Sequence, residues 1–436
     1  MNSNKNNRYI LFWLSQSISQ LGSSLTGFAL VVWAYKQTGE ALTVSILSFC
    51  SYLPYILVSV FAGALVDRHK KKNIMLISDT VAALGSIGVL ILYLTGQLKI
   101  EYLYGINFLL GLMNAFQSPA TSTAIGIIVP ADKYERISGM NAFSRGLITI
   151  VTPMLAPFFL AFGGLEVILL IDLGSFLIAF IVLLFFIAIK EESRCEKAKT
   201  RMLESIYDGF DFLRGEKAIL YLMLSMAAMN FFSRLTYENI LTPMLLERSG
   251  QNDQVLGIVT GIIGFGGVVG GLLVSIIRLP KNKIKVIFGT AAFSFLCGDL
   301  LMGMGQSIGV WIIAALAASL PIPMLTAAEN NILYTRIPKQ LQGRVFAIRN
   351  MVQFFTIPIG TLLGGILADY VFTPLMKRDG VPVSILESVV GKTDGSGMAV
   401  MFVCTGVLGS VMSIACYHNR YVRHLEQEIM SIRKEK

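Results

Sequence analysis

Carboxylates and guanidinium groups that fall inside long apolar runs are the residues of this chain best placed to do chemistry. Arg234 and Glu238 stand four apart in one such run, a spacing that puts both on one helical face within reach of an ion pair. Glu329 lies in a second run beside Asn330 and Asn331, Asp299 in a third and Arg145 in a fourth. A charge held among apolar groups is costly, so residues of this kind are functional candidates by default. Burial favours the neutral carboxyl, whereas an adjacent arginine favours the anion. A site that alternately joins and separates such a pair takes up and releases a proton, which is the elementary chemistry of coupling a proton gradient to work. Glu238, Arg234, Glu329, Asp299 and Arg145 are therefore read as proton-coupling candidates. The plainer uses of the same residues are a static ion pair for Arg234 with Glu238 and a helix-end contact for Glu329.

A second set is polar but uncharged. Gln16, Gln20, Ser23, Ser24 and Gly27 recur at roughly helical spacing in the first apolar run. A polar stripe on a spanning helix should face an aqueous cavity, and these five are read as lining the site of a small-molecule substrate. Enzymatic constellations are missing from the sequence. There is no GxxxxGK[ST] phosphate loop, HExxH or paired-cysteine motif, and His69, His418 and His424 are scattered. Cys50, Cys195, Cys297, Cys404 and Cys416 have neither zinc nor disulfide spacing. The expectation is a protein that is not an enzyme and uses no metal or cofactor.

The elements that must carry these residues follow from composition. Of 436 residues 54% are hydrophobic and only 14% charged, more apolar surface than a soluble fold of this size can hide. The formal net charge of +9 comes from short basic blocks between apolar runs, which speaks for a positive-inside membrane protein and against a nucleic-acid partner. The runs predict twelve spans, at 9–35, 42–66, 73–95, 101–129, 139–162, 165–189, 218–245, 254–277, 284–304, 308–334, 346–371 and 398–417. With both termini cytoplasmic, Lys and Arg concentrate on the inner side on both halves of the chain. Trp13, Trp33 and Trp311 fall near predicted helix ends, as an aromatic belt requires. The fold expected is an all-α membrane protein of twelve transmembrane helices in two pseudo-symmetric six-helix halves, 1–189 and 218–436. Residues 190–217 form a charged cytoplasmic linker in which Leu203, Ile206, Phe210 and Leu213 make an apolar stripe, the pattern of an amphipathic helix on the inner leaflet.

Internal echoes favour two halves. Gly63-Ala-Leu-Val66 and Gly271-Leu-Leu-Val274 end the second and eighth spans, and Pro130 and Pro338 follow the fourth and tenth; both pairs are 208 residues apart. Pro153 and Pro157 in the fifth span and Pro358 in the eleventh should kink their helices, since proline removes a backbone hydrogen bond. The glycines between Gly257 and Gly271 carry small-xxx-small spacings suited to close helix packing.

The loop after the second span reads Gly63-Ala-Leu-Val-Asp67-Arg68-His-Lys-Lys71-Lys72. It resembles the inter-helix signature of the major facilitator superfamily, though Lys70 stands where that pattern has a second glycine. Leu53-Pro54-Tyr55, Ser118-Pro119-Ala120, Val129-Pro130, Thr152-Pro153 and Ile171-Asp172 resemble the macrolide and multidrug efflux branch. The resemblance implies that Gly63, Asp67, Arg68 and Lys71 form a conformational latch on the cytoplasmic side. It further implies a secondary active transporter of the plasma membrane, expected as a monomer, that exports amphipathic organic compounds by alternating access in exchange for protons. The alternative is an exporter or importer of a specific metabolite or siderophore. A channel or a non-transporting sensor fits the two-half repeat and the latch less well.

Overall fold

The computed structural model describes residues 2–128, 134–187, 189, 210–277, 279–378, 380–423 and 425. Among them there is helix and no strand. Nine helical stretches among the described residues are long and apolar enough to cross a membrane. Large apolar side chains such as Phe162 and Ile276, each 79% exposed, stand on the outside of these helices, a surface suited to lipid. By contact the chain divides into two units, one of residues 1–195 with 256–261 and one of residues 196–255 with 262–436.

In the first unit α1 (Asn2–Thr38) packs on α5 (Tyr134–Ile181), and α4 (Ile100–Ile128) packs on both α2 (Ala41–Arg68) and α3 (Lys71–Leu94). The predicted fifth and sixth spans are the two arms of α5, which breaks at Gly163 and Gly164. Gly164 has φ +67°, a conformation that a side chain disfavours, so a glycine pair turns the chain where few other residues could. Helices approach closely where side chains are small. A Cβ on Gly22 would stand 3.0 Å from the Asp172 Cα, which locks α1 against the second arm of α5. The core between these elements is Leu25, Ala29, Leu103, Leu165, Ile168 and Leu169. Beyond α5 the chain continues in a π-helical turn, Val182–Phe186, which Lys72 closes by donating from Nζ to the carbonyls of Leu184 (2.8 Å) and Ile187 (2.9 Å), where a cation suits the negative end of a helix.

In the second unit α6 (Lys217–Arg234) and α7 (Leu241–Arg248) are separated by a turn, then follow α8 (Asp253–Ile276), α9 (Lys283–Phe293) and α10 (Leu300–Met304). After these come α11 (Ile308–Ser319), α12 (Ile322–Arg336), α13 (Lys339–Leu367), α14 (Thr373–Met376), α15 (Val381–Val390) and α16 (Ser396–His418). The glycine run of α8 does pack closely: Cβ atoms on Gly266 and Gly270 would meet Ser319 and Leu320. The core joins Met226, Ile287, Phe288, Ala328 and Ile332 from α6, α9 and α12.

Two expectations change here. The seventh span is not one continuous helix, because residues 235–240 form turns between α6 and α7. Pro243 has no N–H to give to the Asn239 carbonyl and its ring crowds that position, which explains a break at this place. Trp311 is 3% exposed and donates from Nε1 to the Gly305 carbonyl at 3.1 Å, so its ring is core and not interfacial. Of the linker stripe, Leu203 and Ile206 lie outside the described residues, while Leu213 is buried against Ile219, Met223, Leu333 and Val345 of its own unit. Arg248, the last residue of α7, donates to the carbonyls of Gly303 (2.6 Å) and Val390; burial lowers its pKa to about 10, and it stays charged at neutral pH.

Candidate functional site

The first unit holds a cavity of about 680 Å³, a size that suits a drug-like organic molecule. One wall is α1, where Gln16, Gln20, Ser23 and Gly27 line it. Ser24 is not among the lining residues. The facing wall is α4, through Asn107, Asn114, Gln117 and Thr121, again at helical spacings. Arg145 of α5 also lines the cavity and is exposed, with no carboxylate partner among the described residues. Trp13, another lining residue, sits in this wall and not in an aromatic belt.

Two further carboxylates, which the sequence does not single out as coupling candidates, belong to this cavity. Asp172 is buried in the second arm of α5; Ser23 Oγ donates to its Oδ1 at 3.0 Å and Ser86 Oγ to its Oδ2 at 2.8 Å. It thus ties α1 and α3 to α5. Asp79 lies a third of the way along α3, where Gln117 Nε2 donates to its Oδ1. The signal that could have found them is the polar stripe of α4, which has the same period as the stripe read on α1 and requires polar partners on a neighbouring helix.

The remaining coupling candidates lie in the second unit. Arg234 is the last residue of α6 and Glu238 lies in the following turn, and the two form the ion pair that their spacing suggests. Their side chains are 32% and 20% exposed, so the pair is not fully buried. Arg234 Nε also donates to Asn230 Oδ1 at 3.3 Å. The break is held on α13: Asn230 Nδ2 donates to the Gln353 carbonyl (3.0 Å), Asn239 Nδ2 to the Thr361 carbonyl (2.6 Å), and Gly360 and Gly364 leave room for the backbone of residues 231–235. Pro358 lies inside α13 just before this contact, as Pro153 and Pro157 lie inside α5.

Glu329, 4% exposed, faces Arg349 at 3.9 Å and accepts from Gln353 Nε2 at 3.3 Å. Arg349 in turn donates to Asn330 Oδ1 at 2.8 Å and lies over the Phe346 ring. Asp299, 1% exposed, closes a π-helical turn, Ser294–Asp299, the kind of wide turn often found at functional sites. Thr405 Oγ1 donates to its Oδ2 at 2.9 Å, and the half-buried Tyr237 lies beside it. Tyr237 precedes Glu238 in the break, so one turn presents a residue to each of two carboxylate sites. Of the latch set, the surroundings of Gly63 and the side chains of Asp67 and Arg68 lie outside what the structure describes; Lys71 is buried at the start of α3.

Residues 12–373 match the family model described as Major Facilitator Superfamily. Macrolide efflux protein A of Streptococcus pyogenes is 24% identical over 368 residues, covering 83% of this chain and 89% of that protein. The multidrug efflux pump Tap of Mycobacterium bovis is 24% identical over 422 residues, 93% of each chain. Among solved structures, a bacterial homologue of the human lysosomal transporter Spinster, inward-facing and unoccupied, matches with a TM-score of 0.68 at 12% identity, over 99% of this chain and 98% of that one. A bacterial homologue of the iron transporter ferroportin, also inward-facing, matches with a TM-score of 0.66 at 14% identity, over 95% and 99%. At such identities these structures speak for the fold alone.

Proposed function

This chain belongs to the Major Facilitator Superfamily, and from that premise we propose a secondary active transporter that exports amphipathic organic compounds, macrolide-like among them, in exchange for protons. Twelve spans in two six-helix halves, joined by the cytoplasmic linker 190–217, alternate the access of the substrate between the two sides of the plasma membrane. Both termini are cytoplasmic and the unit of function is the monomer. The observation that carries this reading is the polar cavity of the first unit: amides, hydroxyls and three charged side chains gathered on helices that are otherwise apolar. Helices in lipid do not gather such groups without a use for them. The names of the macrolide and multidrug efflux relatives favour this cargo over a single metabolite or a siderophore.

The test is substrate-dependent proton movement in proteoliposomes. Adding erythromycin or another compound of a drug panel to vesicles with an imposed pH gradient is expected to speed collapse of that gradient, and to do so only with the protein present. Substrate flux without proton movement would remove the coupling; no flux with any compound would remove the export reading.

The latch belongs to the same proposal. Asp67 is a carboxylate in an otherwise basic loop, suited to the positive N-terminus of a neighbouring helix. Asp67→Asn is expected to leave the protein inserted and folded, to slow transport, and to raise labelling, from the cytoplasmic side, of a cysteine introduced at the cavity residue Gly27. Wild-type turnover in correctly inserted Asp67→Asn protein would dismiss the latch.

A further inference from the structure

The charges of the cavity do not balance. Its lining contains two carboxylates, Asp79 and Asp172, and one cation, Arg145. Asp172 is satisfied on both oxygens by serine hydroxyls. Arg145 is exposed, so its charge can stay hydrated and needs no counter-ion. Asp79 differs from both. It is 8% exposed, its Oδ1 accepts from Gln117, and its Oδ2 is buried with no hydrogen-bond partner. A buried carboxylate oxygen left open is expensive unless something completes it, and the completing group must carry an N–H or O–H, best of all a positive one.

The surroundings of Asp79 describe the rest of that something. Trp13 Nε1 and Gln16 Nε2 are likewise buried without partners in the same cavity, two donors that suit ether, hydroxyl or carbonyl oxygens. Trp13, Tyr52, Tyr55 and Phe176 add aromatic rings, which suit an apolar body and also favour a cation near their faces. A small inorganic cation would leave these rings unused, and an anion would meet the surplus negative charge.

We infer that the cavity of the first unit binds amphipathic organic amines in their protonated form, with the ammonium N–H donating to the open Oδ2 of Asp79. This deepens the export reading above and rests on it, since it takes the cavity as the substrate's. Asp79 is a specificity-determining residue: it separates charged amines from neutral compounds of the same shape, while the rings and amides bind both.

The experiment uses the purified full chain in lipid nanodiscs, with propranolol and three further aryl-alkyl amines, each paired with its neutral N-acetyl counterpart. Equilibrium binding is measured for wild type, Asp79→Asn and Asp79→Glu. The amines are expected to bind wild type at least about tenfold more tightly than their N-acetyl counterparts, the scale of one charge-assisted hydrogen bond. Asp79→Asn keeps the acceptor for Gln117 but loses the charge, and should erase that preference by weakening the amines alone; Asp79→Glu should restore part of it. The N-acetyl compounds report whether the variants keep an intact cavity, since their binding should not change. Equal binding of both partners to wild type would overturn the inference and leave the export reading standing, as would a preference that survives in Asp79→Asn. Failure of every amine and every N-acetyl compound to bind wild type would overturn both.

Discussion

Glu238→Gln is expected to abolish uphill export while leaving substrate binding and downhill exchange in place. The pair it belongs to is well made for handling a proton. Arg234 ends α6, Glu238 lies in the turn before α7, and the ion pair between them spans a stretch where the helix has already been broken. A small change of backbone angle there alters the separation of the two charges without unwinding a helix. The turn is also braced, by Asn230 and Asn239 on α13 and by the close approach at Gly360 and Gly364, so a shift of α13 is transmitted to the pair. In the proposed coupling, separation of the two charges favours the neutral carboxyl and their return favours the ion pair. Glutamine preserves the shape and an acceptor for Arg234 but cannot carry a proton. Exchange of one proton for one protonated amine moves no net charge, so the pH difference drives it: each pH unit is worth about 1.4 kcal/mol, enough to hold roughly a tenfold gradient of substrate. That gradient is what Glu238→Gln should lose. Parallel measurement of pH-driven uptake into inverted vesicles and of equilibrium binding decides the matter. A mutant that still concentrates substrate at the wild-type rate passes the role to Glu329 or Asp299, whereas one that fails to insert shows the pair to be a structural staple.

The membrane class of this fold was legible because it depends on run length and charge alone, and both are properties of a sequence. The turn between the fifth and sixth spans was legible too: Gly163 and Gly164 interrupt a long apolar stretch, and a glycine pair is the simplest device for reversing a chain in lipid. The break in the seventh span was harder to read. Pro243 signalled it, but the apolar residues on either side hide the interruption from any count of hydropathy. Within the site the α1 stripe could be read, since Gln16, Gln20 and Ser23 repeat with the helical period. Asp79 and Asp172 could not be ranked in this way. What makes them part of a cavity is Gln117, Ser23 and Ser86, residues 38, 149 and 86 positions away. A single sequence records that a carboxylate stands in an apolar run, and not which distant helix offers it a donor. The same blindness applies to Trp311, whose position near a helix end suggests an interface although its partner is the Gly305 carbonyl.

Asp172→Ala is expected to cost the first unit more stability than any other single change in its cavity. The carboxylate accepts from Ser23 on α1 and Ser86 on α3, and the α1 contact is fixed from below by Gly22, where a Cβ would stand 3.2 Å from Asp172 Oδ1 and closer still to Ser175. Hydrogen bonds to an ionised group are worth about 1.5–3 kcal/mol each in soluble proteins and less in membranes, where the unfolded helices also find polar partners. Removal of the side chain strands two serine hydroxyls as well, so a loss of roughly 2–4 kcal/mol is expected. Asp172→Asn separates charge from geometry. One amide oxygen can still accept from Ser23, while the amide nitrogen confronts Ser86, whose hydroxyl must rotate to accept instead of donate. Asp172→Asn should therefore fall between wild type and Asp172→Ala. Thermal unfolding in detergent, followed by the labelling of Cys50, which is half-buried and free, reads this order directly. Coincident melting of Asp172→Ala and wild type would mean that the apolar seam of Leu25, Ala29, Leu165 and Ile168 holds α1 to α5 unaided, and that Asp172 is kept for the substrate and not for the fold.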